Sequence, residues 1–404
     1  MNEDPNNIVA TQSGQSIGIL VFGTLVLCTA FGEVATGLIV PALPTLGEVF
    51  ARPPETIQLT IVSFALMFAI GQLFFGPFSD RRGRRVALLI GGVLALAGSS
   101  LAAAADSIWV IVLARGIQGL GGAAGYVVSR AVVRDVYGAV GAPKAMATLF
   151  ALMAASFLMA PLIGGVLLDL TGWRVGFVFA AVTGLIWLLS TLFVMPETSK
   201  AHSPSEIDRP SVVYIGLFRH RGFLAFMITH SIGYAGLYCF VAGAPYYFID
   251  SIGAAPSIYG VIAAIAMSGF LAGSFAARAA IPRWGSPRVI NVSLLLMFFP
   301  SVVLAGCGVA GWSMVWVIVI LQFVFWFGGG FLAPNTAAGV MMSHPKAAGA
   351  AAAVLGFVQM CAAAAVSLTQ GLIYDGTLLP VVGMQVALCS VAWLIWTVLK
   401  RHAF

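Results

Sequence analysis

The chain has 404 residues, of which 60% are hydrophobic and only 8% are charged. Soluble domains carry about 25% charged residues, so this composition excludes a soluble protein. A membrane-spanning helix needs about 20 apolar residues, and the chain has room for about a dozen of them. We do not find the alternating segments of about 10 residues that build a transmembrane β-barrel.

Twelve apolar runs follow one another along the chain, and each predicts a membrane-spanning helix. The first six lie near residues 17–41, 56–79, 86–105, 108–133, 144–168 and 174–195. The last six lie near residues 221–248, 257–280, 289–309, 313–341, 348–373 and 378–399. We predict an all-α polytopic membrane protein with 12 helices in two pseudo-symmetric bundles, residues 1–195 and 221–404, joined by a polar linker at residues 196–220.

The distribution of Lys and Arg predicts the orientation, because cytoplasmic loops are enriched in these residues. If the N-terminus is cytoplasmic, the loops on the other side contain only Arg52 and Arg174. The remaining basic residues then fall on the cytoplasmic side, except Arg115 inside the fourth run. Both termini are therefore predicted to be cytoplasmic. The same distribution explains the net charge of +6 without a nucleic-acid partner.

The loop between the second and third runs reads GPFSDRRGRR. Its glycines suit tight turns, and its aspartate can pair with arginine or cap the next helix. Ordinary loop charge would explain the arginines but not the glycines and the aspartate together. This loop resembles the G-x-x-x-D-R-x-G-R-R loop of the major facilitator superfamily, and the resemblance implies a gating role. The residues concerned are Gly76, Asp80, Arg81, Gly83 and Arg84.

The corresponding loop of the second half reads IPRWGSPR, at residues 281–288. It keeps a turn glycine, Gly285, and basic residues, while Pro282 stands where the acidic residue would be. We interpret it as a degraded second copy of the first loop.

The fourth run begins ARGIQGLGGAAG and resembles the R-x-x-Q-G motif of the same superfamily in Arg115, Gln118 and Gly119. An arginine about 10 Å inside a membrane helix is costly unless it faces water or a partner. Snorkelling of the side chain to the outer surface is the alternative. A dinucleotide loop is rejected, because no strand precedes these glycines.

The fifth run contains APLIGG, which resembles the helix-5 motif G-P-x-x-G-G of proton-driven exporters in Pro161, Gly164 and Gly165. A proline kink and small residues predict close packing on the opposite half. The expected partners in the eighth run are Gly260, Gly269 and Gly273. Packing alone is the alternative to a gating role.

Glu33 is the one acidic residue that lies well inside a predicted helix. It precedes Pro41 by eight residues, which places it about 12 Å from the outer end, and Arg115 lies at a similar depth. The two side chains are therefore expected to share a water-filled cavity. Burial favours the uncharged form of a carboxyl group, so Glu33 is predicted to carry a proton. The alternative is a structural glutamate that is hydrogen-bonded to a neighbouring helix.

Further polar and aromatic side chains in the predicted cavity helices are candidates for substrate binding. Three of them repeat every four residues in the seventh run and therefore share one face. The candidates are Tyr126, His230, Tyr234, Tyr238, Gln322, Trp326 and Asn335. Interhelical packing is the alternative for each residue alone, and His230 is also a second candidate for carrying a proton.

Three further segments, PALP at 41–44, the second run, and VVRDVY at 132–137, resemble the Bcr/CflA group of drug:proton antiporters. That group carries an aspartate four residues before PALP, where this chain has Gly37. Glu33 lies one turn earlier on the same helix face, so the acidic function is expected to have moved there.

The resemblance implies a multi-pass protein of the bacterial inner membrane that exports drugs such as chloramphenicol or bicyclomycin in exchange for protons. We expect a monomer that uses the proton gradient, without a cofactor or metal. A symporter, or an exporter of an endogenous metabolite, is the nearest alternative. A membrane-embedded enzyme is disfavoured, because we find no metal cluster, P-loop or nucleophile with a paired base. A purely structural or receptor protein would not explain Glu33 and Arg115.

Overall fold

The computed structural model describes residues 18–199, 216–312, 314–344 and 348–402. Most of the predicted linker, and the basic residues Lys200, Arg209 and Lys346, therefore lie outside the described residues. Every regular element among the described residues is helical. Twelve of these helices are long and apolar enough to cross a membrane, as the sequence predicted.

The first six spans form the N-terminal half. They are α1 (Ile19–Phe50), α2 (Pro54–Arg82), α3 (Arg84–Ala103), α4 (Ile108–Gly138), α5 (Gly141–Thr171) and α6 (Arg174–Val194). The span α1 is interrupted after Gly37, where Pro41 and Pro44 follow and cannot donate a backbone hydrogen bond. A single residue with positive φ, Gly138, separates α4 from α5.

The other six spans form the C-terminal half. They are α7 (Arg221–Ser251), α8 (Pro256–Trp284), α9 (Ser286–Val309), α10 (Val315–Ser343), α11 (Ala348–Ile373) and α12 (Leu379–Leu399). The last turn of α7, Tyr246–Ser251, is a π-helix that follows Pro245. The two halves meet where α2 packs on α11 and α5 packs on α8.

Many large apolar side chains face outward, as a lipid environment requires. Leu113, Phe193 and Ile320 are examples, each more than half exposed. Inside, one cluster of buried apolar residues occupies the N-terminal half and includes Met360 of α11. The polar side chains of the candidate site lie in and beside this packed interior.

Candidate functional site

Glu33 lies in α1, at the boundary between the two halves. Its side chain is half-buried, and it forms no ion pair with any described residue. Tyr234 and Tyr238 of α7, in the opposite half, lie within electrostatic range of its carboxylate. A carboxylate that is unpaired and faces the other half is free to exchange a proton or to bind a ligand.

Arg115 of α4 is completely buried and holds three helices together. Its Nη1 donates hydrogen bonds to the Ala35 carbonyl oxygen (3.0 Å) and to Gln118 Oε1 (2.9 Å). Its Nη2 donates to Thr36 Oγ1 (3.2 Å), and its Nε donates to the Thr60 carbonyl oxygen (3.3 Å). The guanidinium therefore links α1, at the turn that follows Glu33, to α2 and α4.

The sequence predicted that Arg115 shares a cavity with Glu33; the two form no ion pair, although Tyr238 lies within electrostatic range of both side chains. The guanidinium also lies 4.2 Å from the centre of the Phe64 ring, which covers it. Backbone carbonyl groups satisfy the charge, so the side chain does not need water. Its influence on Glu33 is through the position of α1, because the acceptors on Ala35 and Thr36 belong to the turn that follows Glu33.

Gln118 extends this network to α3. Its Oε1 accepts from Arg115 and its Nε2 donates to Ser99 Oγ at 2.7 Å. The adjacent Gly119 lies against the Phe64 carbonyl group of α2, where any side chain would overlap with the backbone. The R-x-x-Q-G segment thus joins four helices of the N-terminal half through buried polar contacts.

The aromatic stripe on α7 reaches the same region as Glu33. The rings of Tyr234 and Tyr238 lie 5.5 Å apart. Tyr126 of α4 lies within electrostatic range of Tyr234, and its ring is 5.6 Å from that of Phe68. The structure therefore brings together Glu33, Tyr126, Tyr234 and Tyr238, which come from both halves.

His230, one turn before Tyr234, belongs to a neutral polar network of the C-terminal half. Its Nδ1 lies 2.8 Å from Thr336 Oγ1, and its Nε2 lies 3.1 Å from Gln359 Oε1. Gln359 of α11 also lies beside Tyr234. Sequence reasoning did not select Thr336 or Gln359. The available signal for Gln359 was that it is one of two amide side chains, with Gln370, inside an apolar run.

The three candidates on α10 have different surroundings. Gln322 is buried and exchanges hydrogen bonds with Gln385 of α12, at 2.9 and 3.3 Å, so it lies among helices of the C-terminal half. Asn335 donates to the Phe331 carbonyl oxygen of its own helix at 3.3 Å. Trp326 packs against Phe157 of α5, with ring centres 5.9 Å apart, and therefore lies between the halves.

The loop between α2 and α3 is organised around Arg84. Its guanidinium forms ion pairs with Asp80 (2.5 Å) and Asp135 (2.9 Å), and it donates to Ser79 Oγ at 2.7 Å. Gly83 adopts a φ of +98°, which allows the sharp turn between the helices. Gly76 lies near Val127 of α4, and Arg81 is exposed.

Glu197, after the end of α6, completes this loop and was assigned to the linker by sequence alone. Its carboxylate accepts hydrogen bonds from the backbone N–H groups of Arg84 (2.9 Å) and Arg85 (3.2 Å). An anionic group at the start of a helix is stabilised by the helix dipole. The first turn of α3 is therefore tied to the end of α6.

The small residues of α5 pack as predicted on one point of α8. A side chain on Gly260 would lie 2.7 Å from the Pro161 carbonyl oxygen, and one on Gly165 would overlap with the Pro256 backbone. Gly164 contacts Leu38 of α1.

The prediction that Gly269 and Gly273 also face α5 was wrong. Both pack against α10, at Phe323 and Phe327. The glycine contacts between α8 and α5 therefore lie in the first turns of α8.

Two hydrogen bonds between the halves lie near these contacts. Asp169 of α5 accepts from the Ser257 N–H at the start of α8 at 3.0 Å. Gln58 of α2 donates to the Ala242 carbonyl oxygen of α7 at 2.7 Å. Both lie toward the end of the molecule opposite the Arg84 loop, which the orientation predicted from sequence makes the outer end.

Comparison with known proteins finds a family whose sequence pattern covers most of the chain, and relatives that are named for drug resistance. The sequence pattern of the Major Facilitator Superfamily matches residues 25–399. Multidrug resistance protein D of Escherichia coli (strain K12) is 28% identical, over 90% of this chain and 93% of its own length. The chloramphenicol resistance protein of Pseudomonas aeruginosa is 26% identical, over 83% of this chain and 77% of its own length.

A bicyclomycin resistance protein homolog of Haemophilus influenzae is 25% identical, over 87% of this chain and 88% of its own length. Among solved structures, a D-xylose-proton symporter has a similar fold, with a TM-score of 0.75. It covers 94% of this chain and 98% of its own, at 16% identity.

Proposed function

The chain belongs to the Major Facilitator Superfamily, and we propose that it exports small amphipathic compounds in exchange for protons by alternating access. It is a multi-pass transporter of the bacterial inner membrane with twelve spanning helices. The observation that carries the proposal is Glu33, an unpaired carboxylate at the boundary between the halves. Relatives that are named for resistance to drugs support export as the direction.

Glu33 is suited to carry the proton because of its surroundings. Phe31 and Ala35 on its own helix are buried, and no described cation lies within ion-pairing distance. Arg115 is occupied by backbone acceptors, so it does not neutralise the carboxylate. The free-energy cost of removing the charged carboxylate from water is then offset only by a proton or by a ligand.

Proton and substrate compete in this proposal. Binding of substrate from the cytoplasm favours the deprotonated carboxylate, and protonation from the outside favours release of substrate. Thermodynamic linkage makes the two effects equal in free energy, because substrate weakens proton binding by the same factor by which the proton weakens substrate binding. Each proton that moves down the membrane potential supplies about 2.3 kcal/mol per 100 mV.

Alternating access requires contacts between the halves that can form at one end and break at the other. The contacts of Gly165 with Pro256 and of Asp169 with Ser257 supply such a closure at the predicted outer end. In the proposed cycle, a state that is closed at this end is the one that opens toward the cytoplasm. The loop around Arg84 lies at the opposite end. Its ion pairs hold it to the N-terminal half, so the two are expected to move together.

A symporter, or an exporter of an endogenous metabolite, is the second candidate. The fold shared with the D-xylose-proton symporter is compatible with proton flow in either direction relative to substrate. Both mechanisms would use the Glu33 carboxylate. The direction of proton movement on addition of substrate distinguishes them.

The test uses inside-out vesicles that contain the protein and a pH-sensitive dye. The vesicles are energised, and amphenicols, bicyclomycin and cationic dyes are added to the outer solution. We expect a substrate to release protons from the vesicles with the wild-type protein but not with Glu33→Gln. Release by both proteins would overturn the role of Glu33. If no compound of the panel moves protons in either protein, drug export would be contradicted in favour of the metabolite alternative.

A further inference from the structure

We propose that Arg130 of α4 forms an anion-binding subsite that recognises a carboxylate or phosphate group on the transported compound. The inference deepens the proposed function, on which it rests, because it defines the substrate class of the same site. By its position in the sequence, Arg130 is one of the positive charges that are predicted to be cytoplasmic. The structure gives it a different environment.

Arg130 lies one turn after Tyr126 and stacks on it. The guanidinium carbon is 3.9 Å from the centre of the Tyr126 ring, and Arg130 Nε donates to the Tyr126 carbonyl oxygen at 2.9 Å. Tyr126 lies within electrostatic range of Tyr234 of the opposite half, so the guanidinium stacks on a residue that faces this boundary. It is about 6 Å closer than Tyr126 to the end of α4.

The terminal nitrogens of Arg130 have no acceptor among the described residues. The side chain is half-buried, and no described carboxylate lies within ion-pairing distance of it. The two other buried arginines differ in this respect, because backbone carbonyls satisfy Arg115 and two aspartates pair with Arg84. A half-buried guanidinium inside a membrane span is costly unless an acceptor or water reaches it.

The hydrogen-bond donors on the uncovered side of the Arg130 guanidinium determine which ligand it can bind. One face of the guanidinium is covered by the Tyr126 ring, and Nε is used, so the two terminal nitrogens present a planar pair of donors. Such a pair binds both oxygens of a carboxylate or phosphate. A neutral substrate would leave these donors to water.

Beside the tyrosines at this boundary, Glu33 supplies a carboxylate and Arg130 supplies a guanidinium, and neither forms an ion pair with a described residue. A substrate with an anionic group can bind Arg130 through that group, while another part of the same compound competes with the proton at Glu33. The apolar part of such a compound would pack on the tyrosines between them. The two charges therefore have separate tasks, one for the proton and one for the anionic group.

The test compares two fluorescent probes that differ in one charge, dansyl-phenylalanine and its neutral amide. Each is titrated into purified protein in nanodiscs of phosphatidylcholine alone, which excludes an anionic lipid as the occupant. We expect the wild type to bind the carboxylate about tenfold more tightly than the amide, as a charge-assisted hydrogen bond predicts. Arg130→Gln should lose this preference while its affinity for the amide stays unchanged.

Two further variants separate the explanations. Arg134→Gln removes the same charge one turn later from an exposed position, and it should keep the preference. Arg130→Lys should keep part of the preference, because an ammonium group binds anions without the paired geometry. If Arg130→Gln weakens the binding of both probes equally, Arg130 has a structural role and the subsite is overturned. A wild type that binds both probes with equal affinity, or binds neither, would also overturn it.

The Glu33→Gln variant makes this outcome independent of the proposed function. It should abolish proton release and keep the preference for the carboxylate probe. If the wild type prefers the carboxylate but releases no proton with any compound, the antiport proposal fails and the anion subsite remains.

Discussion

The two halves share a backbone design but differ in where they place charge. The turn between α2 and α3 and the turn between α8 and α9 each pass through one glycine, Gly83 with φ +98° and Gly285 with φ +74°. The first turn is surrounded by the ion pairs of Arg84 and by Glu197. Among the described residues, no ion pair lies at the second turn.

The same difference appears deeper in the bundle. The N-terminal half contributes Glu33, Arg115 and Arg130, whereas the C-terminal half contributes neutral networks around His230 and Gln322. The two halves therefore share the geometry of this turn, whereas the two buried arginines among the described residues, Arg84 and Arg115, both lie in the N-terminal half. In the proposed mechanism the N-terminal half carries the proton, and the C-terminal half supplies part of the surface on which substrate packs.

Removing Arg84 is expected to have the largest effect on stability. Arg84→Ala leaves the exposed Asp80, the half-buried Asp135 and the Ser79 hydroxyl without their partner, which we expect to cost about 1–3 kcal/mol. The apparent Tm of the purified protein in detergent should fall by several degrees, together with transport activity. Arg288→Ala, after the corresponding turn of the C-terminal half, should leave Tm unchanged because that side chain is exposed. Equal losses in both variants would remove the distinction between the halves.

Enlarging Gly165 should disturb the contact between the halves without changing either charge network. The added methyl group in Gly165→Ala would overlap with the Pro256 backbone, and overpacking of this kind costs about 1–3 kcal/mol. We expect the closed outer end to open. A cysteine at Gln58, which is completely buried here, should then react several-fold faster with a membrane-impermeant maleimide from the outside.

The matched control for this variant is Gly383→Ala in α12, where an added methyl group meets no neighbour. It should leave the rate of cysteine labelling unchanged. An unchanged rate in Gly165→Ala as well would contradict the outer closure.

The smallest effect is expected from the neutral network of the C-terminal half. In the double variant Gln322→Leu/Gln385→Leu both hydrogen-bonding partners become apolar, which should leave the stability nearly unchanged. The single variant Gln385→Leu leaves Gln322 buried without its partner and should cost about 1–3 kcal/mol of stability. The double variant should transport at close to the wild-type rate, and its thermal unfolding should resemble that of the wild type. Loss of substrate affinity in the double variant would instead restore Gln322 as a substrate-binding residue.

The architecture was predictable because each spanning helix is a property of its own segment. Apolar length and the residues that end a helix, such as Gly83 and Gly138, are local signals. The twelve predicted runs accordingly agree with the twelve spans of the structure. The orientation stays a prediction, because it depends on which side of a membrane each loop meets.

The partners of the polar side chains were less predictable, because they depend on how the helices are rotated about their axes. Depth along a helix suggested that Glu33 and Arg115 share a cavity, but the rotation of α4 turns Arg115 toward the carbonyl groups of α1 and α2. The same rotation places Arg130 on Tyr126, which faces the boundary between the halves. A charge count along the sequence could not separate these two arginines.

Competition between proton and substrate at Glu33 is the central claim, and it is tested most directly by proton release on binding. Purified protein in a weakly buffered solution with a pH indicator is mixed with a compound that binds it, at a pH where Glu33 is protonated. The account predicts release of about one proton per bound molecule for the wild type and none for Glu33→Gln, with binding retained. The same release from both proteins, or binding to the wild type without any release, would contradict it.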